Sequence, residues 1–112
     1  MQVVDGAGSF TGPEGQDGTH WIEHLRVPDL SVGTYSIPAG STDEQQPHTE
    51  DEIYVVTAGQ ATFETGTEQV PVGPGTVLYV PADQPHRFTD ITGDLAAIVI
   101  FAPAEDTRAN RM

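Results

Sequence analysis

The chain has 112 residues, with 17 acidic side chains against four Arg, no Lys, no Cys and a net charge of −13. That length carries one hydrophobic core, and the charge repels phosphate backbones and anionic bilayers, so nucleic acid and membrane surfaces are excluded as expected partners. Without Lys or Cys there is no Schiff-base, P-loop or thiolate chemistry and no disulfide, and any metal must sit on imidazole, carboxylate or amide oxygen.

Met1 to Gly18 reads as an arm, with five Gly and one Pro. Only Gln2-Val3-Val4 suits a short edge strand there, and the arm is expected to be mobile or laid across a partner subunit. Thr19 to Arg26 alternates as a strand, placing Trp21 and Leu25 on one face and His20, Ile22 and His24 on the other. Pro28-Asp29 turns the chain into a second strand, Leu30 to Ile37. After a polar loop, Gln46 to His48 is extended, because the residue before a proline is pushed to β.

Glu52 to Thr57 is a strong strand, with a turn at Ala58-Gly59 and a hairpin mate at Gln60 to Glu64. Strands follow at Glu68 to Val72, Thr76 to Val80, Pro85 to Thr89 and Leu95 to Ala102, separated by turns at Gly66-Thr67, Gly73-Pro74-Gly75, Pro81 to Gln84 and Gly93-Asp94. A barrel unit is therefore expected over 19–103, followed by a polar tail over 104–112 that is disordered or forms one helical turn. Eight or nine short strands at this spacing, with no sustained helical period, mean an all-β sandwich or barrel. No run reaches the roughly 18 apolar residues of a membrane span, and the N-terminus lacks the pattern of a signal peptide, so a soluble cytoplasmic protein is expected.

Of the four His, two stand in unusual settings. His48 precedes the acidic run Glu50-Asp51-Glu52, and His86 follows a Pro-bounded turn. Gln46 and His48 are two apart and share a face of an extended chain, and Glu52 opens the next strand close by. Glu52, Tyr54 and Val56 then share one face of that strand. A carboxylate flanked by apolar side chains needs a compensating partner, and a metal ion is one. Two imidazoles and a carboxylate suit divalent transition metals, with the Gln46 amide oxygen as a weaker, neutral donor. A polar barrel mouth without metal is the plainer reading of the same residues, and Gln46 also fits a role in hydrogen-bonding a ligand or a water.

These residues resemble the cupin superfamily. Its first motif, G-x5-H-x-H-x3/4-E-x6-G, is met here by Gly40, Gln46, His48, Glu52 and Gly59. The second, G-x5-P-x-G-x2-H-x3-N, is met by Gly75, Pro81, Asp83, His86 and Asp90. Spacing agrees throughout. Gln46 stands in place of the first His, and Asp replaces Gly and Asn at two positions where turn conformations are tolerated. The resemblance implies a jelly-roll β-barrel of two antiparallel sheets and a homodimer. It also implies one divalent metal (Fe, Mn, Ni or Zn) inside, on Gln46, His48, Glu52 and His86, with a small-molecule substrate. A dioxygenase-type oxidoreductase heads the readings it allows; a non-redox isomerase, lyase or cyclase and a non-catalytic small-molecule-binding protein are the alternatives.

Tyr54, His24 and His20 are the candidates for acid–base work. For the two histidines the plainer reading is a surface or interface pair, and for Tyr54 core packing. Trp21, Tyr35, Phe63 and Tyr79 read as core or dimer-interface residues. Arg87 is expected to point away from the pocket. Asp43, Glu44, Glu50 and Asp51 read as a solvated acidic rim.

Overall fold

The computed structural model describes residues 1–12, 18–43 and 47–109. Six antiparallel strands are present among them: β1 (His20–Val27), β2 (Leu30–Ile37), β3 (Asp51–Thr65), β4 (Gln69–Val72), β5 (Val77–Val80) and β6 (His86–Ala102). They hydrogen-bond in the order β1-β2-β6-β3-β4, with β5 also paired to β3. The all-β fold expected from the sequence is the fold observed. No helix among the described residues is long and apolar enough to cross a membrane.

The strands are fewer and longer than expected. Ala58-Gly59 and Gly93-Asp94 are not turns. Each lies inside a long strand, where β3 and β6 run side by side with register shifts between Val56 and Thr62. The irregular stretch lets both strands bend and serve both layers of the barrel. Gly59 makes this possible, because it has φ +85° and a Cβ there would lie 2.4 Å from the Asp94 carbonyl oxygen. Glycines that read as hairpin punctuation instead lie in the irregular stretch of the β3–β6 pairing.

The alternation on β3 places Glu52, Tyr54 and Val56 inside, as the period of two requires. Around them lie Phe63, Phe88, Val99 and Phe101, all buried. Tyr54, Phe63 and Phe88 meet edge to face, with centroids 4.9–5.6 Å apart. Tyr79 is not part of this core, since it is 61% exposed on β5.

On β1 a register shift between Glu23 and Leu25 reverses the expected face of Leu25. Trp21 pairs with Tyr35 across the sheet, whereas Leu25 pairs with Val32, one residue out of phase. The N-terminal arm forms no strand at Gln2 to Val4. It lies on its own chain. Gly8 N–H donates to Thr34 Oγ1 at 2.9 Å, Thr57 Oγ1 donates to the Gly8 carbonyl at 2.5 Å, and Thr11 N–H donates to Ser36 Oγ at 3.1 Å. At the other end, Glu105 to Ala109 forms turns rather than a disordered tail.

Candidate metal centre

The three sequence-nominated side chains converge. His48, Glu52 and His86 each offer a ligand atom within 4.8 Å of the others. His48 comes from the segment before β3, Glu52 from the start of β3 and His86 from the start of β6. The two motifs are tied by backbone, since Asp83 N–H donates to the His48 carbonyl at 2.7 Å. Asp83 and Asp90 both take positive φ (67° and 49°), the conformation that the corresponding Gly and Asn of the motif adopt readily. Gln46 lies outside the described residues.

His86 is oriented by its surroundings. Its Nδ1 is 2.9 Å from the Gln84 carbonyl oxygen, which can only accept, so Nδ1 carries the hydrogen. In the neutral ring the lone pair is then on Nε2, which faces the Tyr54 hydroxyl at 3.0 Å and Glu52 Oε1 at 3.2 Å. Glu52 is 2% exposed and neither carboxylate oxygen has a hydrogen-bond partner among the described residues. A lone pair and an ionised carboxylate at that separation repel unless a proton or a cation lies between them. Burial by itself lowers the His86 pKa, but Glu52, the Gln84 carbonyl and Asp43 outweigh it and hold the pKa above the ordinary value. The donor set and the unsatisfied buried carboxylate fit a divalent cation.

The site opens into a cavity of about 350 Å³ walled by Trp21, Tyr35, Tyr54 and Phe101, with Glu105 and Asp106 beside His48. His48 packs on Phe101, centroids 4.7 Å apart, and its Nδ1 is 3.8 Å from Glu105 Oε2. Burial pushes the Glu105 pKa up, and Asp106, Glu23 and Glu52 add repulsion that Arg26 only partly offsets, so it reaches about 7.

Of the acid–base candidates, Tyr54 lines the cavity, whereas His20 and His24 do not. Their strand turns Trp21 toward the cavity, so alternation turns them away, and His24 Nε2 lies 2.7 Å from Thr34 Oγ1. Trp21 and Tyr35, read from sequence as core or interface, are cavity walls. Glu105 was in a segment read as polar tail, and no local pattern marks it. Arg87 points away and pairs with Glu64, with 2.6 Å between Nε and Oε1.

The acidic rim is only partly a rim. Glu44 lies outside the described residues. Asp43 is 2% exposed and accepts from the Tyr35 hydroxyl and the Phe88 N–H, both at 2.8 Å. Glu50 is 1% exposed and accepts from the N–H groups of Asp106 and Arg108, at 2.8 and 2.9 Å, and from Thr49 Oγ1. These bonds compensate the cost of burying a carboxylate. Asp51 is half-buried and accepts from the Ala82 N–H at 2.9 Å.

Burial opposes ionisation of Glu50, yet its hydrogen bonds to Thr49, Arg108 and Asp106 prevail and its pKa lies below the ordinary 4.5. A carboxylate depressed on folding stabilises the native state above its unfolded pKa, and that contribution is lost as pH falls through the folded value. The melting temperature is therefore expected to drop on acidification below about pH 4.5. Glu50→Gln is expected to be less stable at neutral pH and to show a shallower acid slope, measurable by thermal denaturation across pH. Parallel slopes for the two proteins would remove Glu50 from this role.

Comparison with known proteins agrees with the fold. Residues 33–103 match the model of the cupin domain. An uncharacterized protein of Streptomyces coelicolor is 44% identical over 85 residues, covering 76% of this chain and 81% of its own. An RmlC-like cupin protein from Desulfovibrio desulfuricans superposes with a TM-score of 0.74 at 18% identity, covering 93% of this chain and 98% of its own. KdgF from Halomonas sp. gives 0.72 at 21%, covering 83% and 87%. The DMSP lyase DddQ from Ruegeria pomeroyi gives 0.72 at 24%, covering 85% of this chain and 52% of its own. At these identities the structures speak to the fold alone.

Proposed function

Because this chain belongs to the cupin domain family, we propose that it holds one divalent metal ion on His48, Glu52 and His86 and acts as a metal-dependent enzyme on a small organic molecule. Gln46 is proposed as the fourth donor, on motif spacing alone. The observation that carries the reading is Glu52, a fully buried carboxylate without a hydrogen-bond partner that faces two imidazoles. Two His and one carboxylate with open positions are the donor set of non-haem oxygenases, and such a metal brings substrate and dioxygen to one centre. A dioxygenase-type oxidoreductase is therefore the leading activity. In that role the aromatic walls exclude water and orient the substrate, and the Tyr54 hydroxyl, 3.0 Å from His86 Nε2, is placed to hold a proton at the cavity floor. Oxygen uptake by Fe-, Mn- or Ni-loaded protein with enolic or phenolic substrates tests it. Turnover that survives strict anaerobiosis rejects it.

A second reading is favoured by Glu105, whose pKa of about 7 suits proton transfer at neutral pH. A non-redox lyase or isomerase would use that carboxyl group as base while the metal polarises the substrate. The lyase DddQ shares this fold but no more than the fold. Full activity with zinc under nitrogen would select this reading over the first.

We also propose a homodimer. The row Val32, Ile100, Ile53 and Tyr79, with Ile98, Val55 and Val77 beside it, runs across β2, β6, β3 and β5 without a charged residue. In a chain of net charge −13 this is where a second copy meets least repulsion. Tyr79→Glu is expected to yield a monomer by sedimentation; a wild-type protein that already sediments as a monomer would end the proposal.

A further inference from the structure

Apart from His48, the ionisable side chains that line the cavity beside the proposed metal site are acidic or the Tyr35 and Tyr54 phenols. Its floor holds the Glu52 carboxylate, 2% exposed and without a hydrogen-bond partner, and its edge holds Glu105 and Asp106. No cationic side chain lines it among the described residues. The chain has no Lys to send there. Arg26 is engaged with Glu23 at 2.8 Å and with the Glu105 carbonyl at 2.9 Å, and Arg87 with Glu64. Arg26 thus holds the backbone of the segment rather than filling the cavity.

The two edge carboxylates are placed there by the fold. Glu105 N–H donates to Ser31 Oγ at 2.9 Å, and Asp106 N–H donates to the buried Glu50 at 2.8 Å. A segment tethered at successive residues is a built wall, not a frayed end. The same cavity is lined by the aromatic side chains of Trp21, Tyr35 and Phe101. Carboxylates and aromatic rings lining one cavity form a receptor for a positive charge, through direct attraction and through the ring quadrupoles. An anionic molecule would have to pass these carboxylates, and among the described residues no Arg or Lys lines the cavity to receive it.

We propose that the cavity takes a small molecule carrying a positively charged nitrogen, seated between Glu105 and Asp106 and the aromatic wall, with an oxygen donor directed at the metal ligands. The oxygen end rests on the metal-binding reading above. The cation end stands on the cavity lining alone.

The test compares two probes of the same shape that differ by one charge. Glycine betaine and tert-butylacetate each carry a carboxylate, but only betaine carries the cationic nitrogen. The single Trp of the chain, Trp21, lines the cavity and reports binding by its fluorescence. Zinc-loaded protein is expected to bind betaine about tenfold or more tighter than tert-butylacetate. The Glu105→Gln, Asp106→Asn double variant should lose most of that preference while keeping its metal. Metal-free protein should keep the preference with weaker binding of both probes. Equal or reversed affinity for the two probes overturns the proposal, as does an undiminished preference in the double variant, or no response to either probe at millimolar concentration. If the protein holds no zinc, the metal reading fails, and the preference is still decided on the metal-free protein.

Discussion

His86→Ala protein, purified without added metal, is expected to retain only a small fraction of the wild-type metal content by elemental analysis. The ring is 6% exposed and its Nε2 is the nitrogen turned toward Glu52, so no neighbouring group can replace it. Loss of an orienting partner alone costs roughly 10–100-fold in metal affinity, and loss of a ligand should cost more. Gln46→Ala is expected to lose less, because an amide oxygen is the weakest donor of the set. Glu52→Gln separates the effect of the metal from that of the carboxylate. With metal it should be less stable than wild type, because the anionic ligand is gone. Without metal the difference should shrink, because Glu52 then has only the His86 ring, 3.2 Å away, to offset its charge. Full metal occupancy in His86→Ala would overturn the site assignment.

Gly59→Ala is expected to cost about 3 kcal/mol of stability, from a left-handed backbone that disfavours a Cβ and from overlap that cannot relax. The atoms a Cβ would meet are Asp94 O at 2.4 Å and Asp94 C and Leu95 Cα at 2.7 Å, all backbone of the neighbouring strand. Relief would require β3 and β6 to separate, and those two strands carry Glu52 and His86. Gly66→Ala is the control, since nothing lies within 4 Å of its Cβ and its φ is not positive. It should shift the denaturant midpoint little. Equal losses at the two positions would show that the β3–β6 bulge tolerates a side chain.

The convergence of His48, Glu52 and His86 was legible because motif spacing encodes it locally. His48 and Glu52 are four residues apart at the mouth of one strand, and His86 opens another behind a Pro-bounded turn. Asp83 and Asp90, which depart from the motif, keep its left-handed backbone. The strand count was not legible, because a glycine in a bulge and a glycine in a hairpin turn look alike in one dimension; only pairing distinguishes them. The faces of β1 were half legible. The alternation is right up to Glu23 and fails at Leu25, where one register shift reverses it.

Composition and spacing by themselves determined an all-β fold, poor in cations, with two His and one Glu spaced so that they come together. Those properties depend on residue identity and on the two-residue period of a strand, both of which are local. Only the tertiary structure decided what surrounds the site. Glu50 and Asp43 have the composition of a solvated rim, and they are buried because backbone N–H groups of Asp106, Arg108 and Phe88 reach them from 45–58 residues away. That pairing brings Glu105 and Asp106 to the cavity that Trp21 also lines. A buried charge is stable only where distant donors meet it, and no sequence window contains both halves of such a contact.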